Sequence, residues 1–256
     1  MTSARATARL RACGLSERDA ATVVEHLAAA DRDGRSGHGL ARIAWLEELL
    51  DGGLDPAGFP RCVERTEGFE RWHGGGALGY VTLAAICDAL LADPPARSRL
   101  VVAEACFPTG VLGLWGRRLA DAGLVAVVTA TSPRRLPHPA GGPPLTGTNP
   151  IAIAIPSSEG EPVVADVSMG AVTHGDVLTG AARPEELVPF GGAKAHKAFA
   201  LAVGIELLVG ALAGPDHGAL VLAARPEYDP VPALRDLAGG VRLPGDRSGA
   251  SPRERP

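Results

Sequence analysis

Five short apolar runs, RLVVAEA (99–105), LVAVVTATS (124–132), IAIAIP (151–156), PVVADV (162–167) and GALVLAA (218–224), dominate the chain from its middle onward. Each has the length and apolar content of a strand, and segments with helical spacing separate the first from the second and the fourth from the fifth. A chain that alternates in this way folds as sheet layers covered by helices, an α/β arrangement. Helices are predicted over GALGYVTLAAICDALLAD, GVLGLWGRRLADAG and PVPALRDLAG, with another in VSMGAVTHGDVL. The longest apolar helix, HKAFALAVGIELLVGALAG, is ended by Gly214 and Pro215. Upstream, Ser16 followed by Asp19 resembles a capping box heading a helix that reaches about Ala30. A second helix runs from about Gly39 to Leu50 and is stopped by Gly52 and Gly53. Residues 1–70 therefore read as a helical part and 71–248 as an α/β part of one domain, with 249–256 a disordered tail.

With 256 residues the chain can bury a core without a disulfide or a metal. Its cysteines, Cys13, Cys62, Cys87 and Cys106, have neither metal-ligand nor disulfide spacing, so no metal site is expected and a reducing cytoplasm fits. A net charge of -4 offers no footprint for nucleic acid. No apolar leader and no uninterrupted apolar window of ~18 residues points to secretion or to a membrane.

Three junctions carry residues suited to chemistry. In SGHGLAR, His38 lies between two glycines at a helix start and Arg42 follows one turn later; the pair reads either as a carboxylate site or as a surface cap. In TGTNPIAIAIP, Thr148 and Asn149 precede Pro150 and a strand, so they either face a cleft or close a turn. In PFGGAKAHKAFALAVGIELL, Lys194, His196 and Lys197 stand at the head of the long helix, where free N–H groups favour an anion. Neither a Walker loop nor a GxGxxG dinucleotide turn is present. The Pro-rich SPRRLPHPAGGPP reads as a loop, or as the wall of a site. His26 and Glu25 read as a solvated helix face.

In this order DGRSGHGLAR, GTNPIAIAIP, VVADVSM, GGAKAHKAFALAVGIELL and VRLPGDRS resemble the segments of the malate/L-lactate dehydrogenase family, NAD(P)-dependent oxidoreductases unrelated to the Rossmann dehydrogenases. The resemblance implies a mostly antiparallel or mixed sheet covered by helices, a homodimer, and NAD or NADP as cofactor. It also implies reduction of a small 2-oxo acid or cyclic imino acid, or oxidation of a 2-hydroxy acid, with a small carboxylate as substrate. Carried over position by position, His38, Arg42 and Asp166 stand on the catalytic side. Thr148, Asn149, Pro150 and Lys197, with neighbouring His196, stand on the cofactor side.

Departures from the family pattern concentrate around the cleft. Where the family reads S-N-H-F-G, with a proton-transferring His, EACFPTGVLGLW puts Pro108 at that His. Gly37 replaces a Ser and Ala198 a Gly, the segment between Val177 and Pro189 is short, and most terminal helices expected after VRLPGD are missing. A positioned acid is worth roughly 10²- to 10⁴-fold, so its loss weakens a carbonyl reductase without excluding hydride transfer. An iminium substrate carries its own proton and needs no acid at that step; otherwise His38, His174 or His196 must substitute. The competing reading is a degenerate, non-redox homologue: a pseudoenzyme, a small-acid-binding protein or a proton-transfer protein.

Overall fold

The computed structural model describes residues 1–247; the predicted tail at 249–256 lies outside the described residues. Helices α1 (Ser3–Ala12), α2 (Glu17–Arg32) and α3 (Ile43–Asp51) open the chain, followed by strands β1 (Arg61–Arg65) and β2 (Phe69–His73). Next come α4 (Gly79–Ala92), β3 (Ser98–Glu104), α5 (Leu112–Ala120) and β4 (Val125–Ala130). A small hairpin, β5 (Leu136–Pro137) and β6 (Pro144–Thr146), precedes β7 (Ile151–Ile155) and β8 (Val163–Val167). The described chain ends with α6 (His174–Leu178), α7 (Ala195–Ala213), β9 (Ala219–Ala224) and α8 (Val231–Ala238).

Seven strands form one sheet in the order β1-β2-β3-β9-β4-β7-β8. Only the β2–β3 pair is parallel, so the sheet is mostly antiparallel, as the resemblance implied. Side chains alternate between faces along each strand. Val101, Val221, Ala126, Ala152 and their same-face neighbours pack under α2, α4 and α5, and α1 and α3 join this core through Leu10, Ile43 and Leu46. Val102 and Leu220 point the other way, against Ala202, Ile205, Val209 and Ala213 of α7.

Helix α2 begins where its cap was expected: Ser16 Oγ accepts the Asp19 N–H at 3.1 Å. Other expectations need correction. Strands β1 and β2 lie at 61–73, across the 70/71 boundary between the expected parts. They are charged, and β1 is a largely exposed edge, so no apolar run marks them. Edge strands of this kind resist pairing with other chains by being charged. The helix expected in 167–178 shortens to α6, with Thr173 and Asp176 as its capping box. The segment Gly192–Ala213 is long and apolar enough to span a bilayer although Lys194, His196, Lys197 and Glu206 interrupt its apolar run; it lies against the sheet.

Candidate active site

One cleft of about 370 Å³ opens where the chain leaves β3 and β4. Its volume lies at the small end of the range usual for ligand sites. The residues following β3, around Pro108, form one wall; Thr131, Ser132 and Arg135, following β4, form another. His217 and Gly218, just before β9, join the two walls. The His217 carbonyl accepts the Cys106 N–H at 2.8 Å and the Gly218 carbonyl accepts the Thr131 N–H at 3.0 Å.

His38 and Arg42 both line the cleft, though not on one α-helix. Two successive 3-10 turns, Ser36–His38 and Leu40–Arg42, replace the start of the expected helix, with extended Gly39 between them. A side chain at Gly39 would collide with Asp31, which accepts the Leu40 N–H at 2.9 Å and ends the first turn there. Arg42 is buried; its Nε donates to the Gly37 carbonyl at 2.7 Å and its guanidinium lies 4.8 Å from the Trp45 ring centroid. Burial, then Arg42, pushes His38 down to about 3. Burial, then Arg135 and Arg42, pushes His174 on the cleft wall down to about 4. Both imidazoles are therefore neutral at pH 7.

The Gly37 departure has a local cause. A side chain there would meet the Asp176 carboxylate and backbone, and one at Gly175 would overlap the Gly37 carbonyl. Two glycines thus let α6 lie directly against the 36–38 turn and bring His174 and Asp176 to the cleft. The segment around Pro108, whose peptide bond with Phe107 is cis, is fixed from beneath. His26 Nε2 accepts the Val111 N–H at 2.9 Å and stacks on Trp115 at 4.5 Å, while Trp115 Nε1 donates to the Thr109 carbonyl at 2.8 Å. His26 is buried, which corrects its reading as a solvated face. The signal was present: position 26 falls between Val23 and Ala30 on the buried stripe of α2.

Asp166 lines the cleft with its carboxylate committed. Oδ2 accepts the Gly113 N–H in the first turn of α5 at 3.0 Å and pairs with Arg35. It satisfies one of the free amides of that helix end and holds Arg35 at the cleft. Thr148 and Pro150 also line the cleft. Asn149 between them is fully buried, with a positive φ of 31°. Its Nδ2 donates to the Ala202 carbonyl at 3.0 Å and to Glu206 Oε2 at 2.7 Å, and its Oδ1 accepts the Ser132 N–H at 3.3 Å. Its side chain ties the 146–150 loop to α7 and to the wall after β4. His196 and Lys197 are exposed on the first turn of α7, outside the cleft lining. Sequence reasoning does not single out Arg135 or Asp176; Arg135 stands in the Pro-rich run, which the sequence marks only as a loop or the wall of a site.

The cleft offers apolar Phe107, Pro108, Val111 and Pro150 beside the hydroxyls of Ser132 and Thr148. That lining suits the flat, amphipathic nicotinamide end of a dinucleotide. A mostly antiparallel sheet with a cation-bearing cleft at the ends of β3 and β4 defines an α/β enzyme scaffold distinct from the Rossmann type. The family model for malate/L-lactate dehydrogenase matches residues 2–187, and the chain belongs to that family of NAD(P)-dependent oxidoreductases.

Similar proteins carry related names. A Delta(1)-pyrroline-2-carboxylate/Delta(1)-piperideine-2-carboxylate reductase of Pseudomonas putida is 31% identical across 78% of this chain and 66% of its own length, just under two thirds. A (2R)-3-sulfolactate dehydrogenase (NADP(+)) of Chromohalobacter salexigens is 30% identical, covering 98% of this chain and 90% of its own. The crystal structure of delta1-piperideine-2-carboxylate reductase from Pseudomonas syringae pvar. tomato superposes with a TM-score of 0.84 at 27% identity, covering 96% of this chain and 89% of that one. With dehydrogenases and reductases as relatives, the non-redox reading is not favoured.

Proposed function

We propose that the protein reduces a cyclic imino acid, in which a C=N carbon carries a carboxylate. The observation that carries this reading is that, among the described residues, the cleft offers no protonated imidazole: Pro108 stands at the turn, and burial keeps His38 and His174 neutral at pH 7. A carbonyl substrate needs a proton on oxygen as hydride arrives. An iminium nitrogen is protonated before it enters. Bound NADH or NADPH would supply a hydride to the iminium carbon, and the C=N π pair would settle on nitrogen to give the neutral cyclic amine.

In this reading Arg42 binds the substrate carboxylate, held in place by Gly37 and Trp45. His38 faces the substrate as a neutral hydrogen-bonding group, and Asp166 fixes Arg35 and the head of α5. Thr148 and Pro150 contact the cofactor from a loop that Asn149 holds rigid. His196 and Lys197 are assigned to the charged part of the dinucleotide, and the four free cysteines fit a reducing cytoplasm. Loss of nicotinamide absorbance is expected to be fastest with Δ1-pyrroline-2-carboxylate or Δ1-piperideine-2-carboxylate, with kcat/KM about 10²-fold above pyruvate and oxaloacetate. Equal or faster turnover of the 2-oxo acids overturns the imine assignment.

The reading includes a homodimer. Helix α7 exposes Leu201, Leu207 and Leu208, with relative accessibilities of 56%, 67% and 49%, an apolar group of the kind that marks an interface. Light scattering on the purified protein is expected to give the mass of a dimer, and a Leu207→Glu/Leu208→Glu variant that of a monomer. A monomeric wild-type protein removes the assignment.

A further inference from the structure

Three guanidinium groups line the cleft, and they differ in what they already hold. Arg35 is paired with Asp166. Arg42 is anchored on Gly37 and Trp45. Arg135 is half-buried, and among the described residues its side chain has neither an ion pair nor a hydrogen bond. Its backbone is nevertheless fixed. The Arg135 N–H donates to the Thr146 carbonyl at 2.8 Å, and the next residue, Leu136, pairs with Thr146 in the β5–β6 hairpin. Ser132, three residues earlier, is bonded to Asn149. Arg135 is thus tied to Thr146, at the start of the 146–150 loop whose Thr148 lines the same cleft.

A partly desolvated cation without a partner costs stability. Burial and the proximity of Arg42 both work against its charge. An anion entering the cleft relieves that cost. A substrate whose single carboxylate pairs with Arg42 leaves Arg135 as a second cation on the same cleft without a partner.

We infer that Arg135 is a specificity-determining residue that receives a second acidic group on the substrate. The preferred substrate is then a cyclic imino acid bearing two acidic groups, one on the C=N carbon at Arg42 and one farther along the ring at Arg135. The planar guanidinium fork takes a carboxylate through two parallel hydrogen bonds, which an ammonium group does not reproduce. The identity of the reacting bond rests on the imine-reductase reading; the demand for two anions rests on the cleft alone. Phosphate of the dinucleotide is the other source of negative charge, and the test separates the two.

Thermal unfolding of the wild-type protein, Arg135→Gln and Arg135→Lys is followed with succinate, with propionate, and with NADH or NADPH. Wild type is expected to bind succinate at least tenfold more tightly than propionate. Arg135→Gln loses that preference, Arg135→Lys keeps part of it, and all three respond alike to both dinucleotides. In turnover, the ratio of kcat/KM for Δ1-piperideine-2,6-dicarboxylate to that for Δ1-piperideine-2-carboxylate is expected to fall at least tenfold in Arg135→Gln. An unchanged succinate preference in Arg135→Gln overturns the inference. So does a loss confined to NADPH, which places the group on the cofactor's phosphate. If no imino acid is turned over while the succinate preference still depends on Arg135, the two-anion site stands and the imine reading falls.

Discussion

Arg42→Gln lowers kcat/KM for the 2-carboxylate substrate by about 10²- to 10³-fold, the cost of removing one partner from a buried charge-assisted pair. The loss appears mainly in KM if Arg42 contributes equally to ground and transition states, and in kcat if it aligns the C=N carbon only at transfer. Affinity for NADH or NADPH, measured by fluorescence titration, stays within about threefold of wild type, a change of under 1 kcal/mol. Arg42 is also a structural residue, since it spans Gly37 and Trp45. Arg42→Lys separates the roles: the ammonium restores charge but not the fork, so activity recovers only in part. Equal kinetics for Arg42→Gln and wild type remove Arg42 from the substrate site.

Acidification from pH 7 to pH 5 destabilises the protein by about 2 kcal/mol through His26 alone. Burial, then His38, pushes His26 from 6.5 down to about 3. The unfolded chain therefore gains a proton as pH falls through 6.5, while the folded state gains none until about pH 3. Stability from this residue is complete above pH 6.5 and is lost progressively below it. His38 acts in the same direction; the more exposed His174 adds less. In a chain of this size 2 kcal/mol lowers Tm by roughly 4–8 °C, readable by calorimetry at the two pH values. His26→Gln should flatten the difference, and an unchanged slope in that variant assigns the acid sensitivity elsewhere. Because neutral Nε2 accepts the Val111 N–H, protonation also releases the segment that carries Pro108.

The strands β3, β4, β7, β8 and β9 were legible because burial demanded apolar runs there, and glycines or prolines bounded most of them. β1 and β2 were not, since charged residues such as Arg61, Glu64 and Arg71 serve an edge and an ion-pair network as well as solvent. At the site, residue types were easier to read than directions. His38, Arg42, Thr148, Pro150 and Asp166 converge on one cleft. The turn broken at Gly39, the inward rotation of Asn149 and the commitment of Asp166 to Gly113 depend on contacts between distant segments. Arg135 was hidden for the same reason: only the pairing of Leu136 with Thr146 carries it from a proline-rich run to the cleft wall.

The place of β9 sets the order in which this protein can be made. It binds β3 on one side and β4 on the other, yet both partners leave the ribosome long before it. Until Ala219–Ala224 emerges, β1–β2–β3 and β4–β7–β8 are two half-sheets with no strand hydrogen-bonded between them. Closure over so long a separation is entropically costly and slow. During that interval the inner edges of β3 and β4 are open templates for wrong partners. The cleft lies across the same seam, so a nascent chain has no binding site until its late strand is in place, and neither substrate nor cofactor can assist the earlier steps of folding.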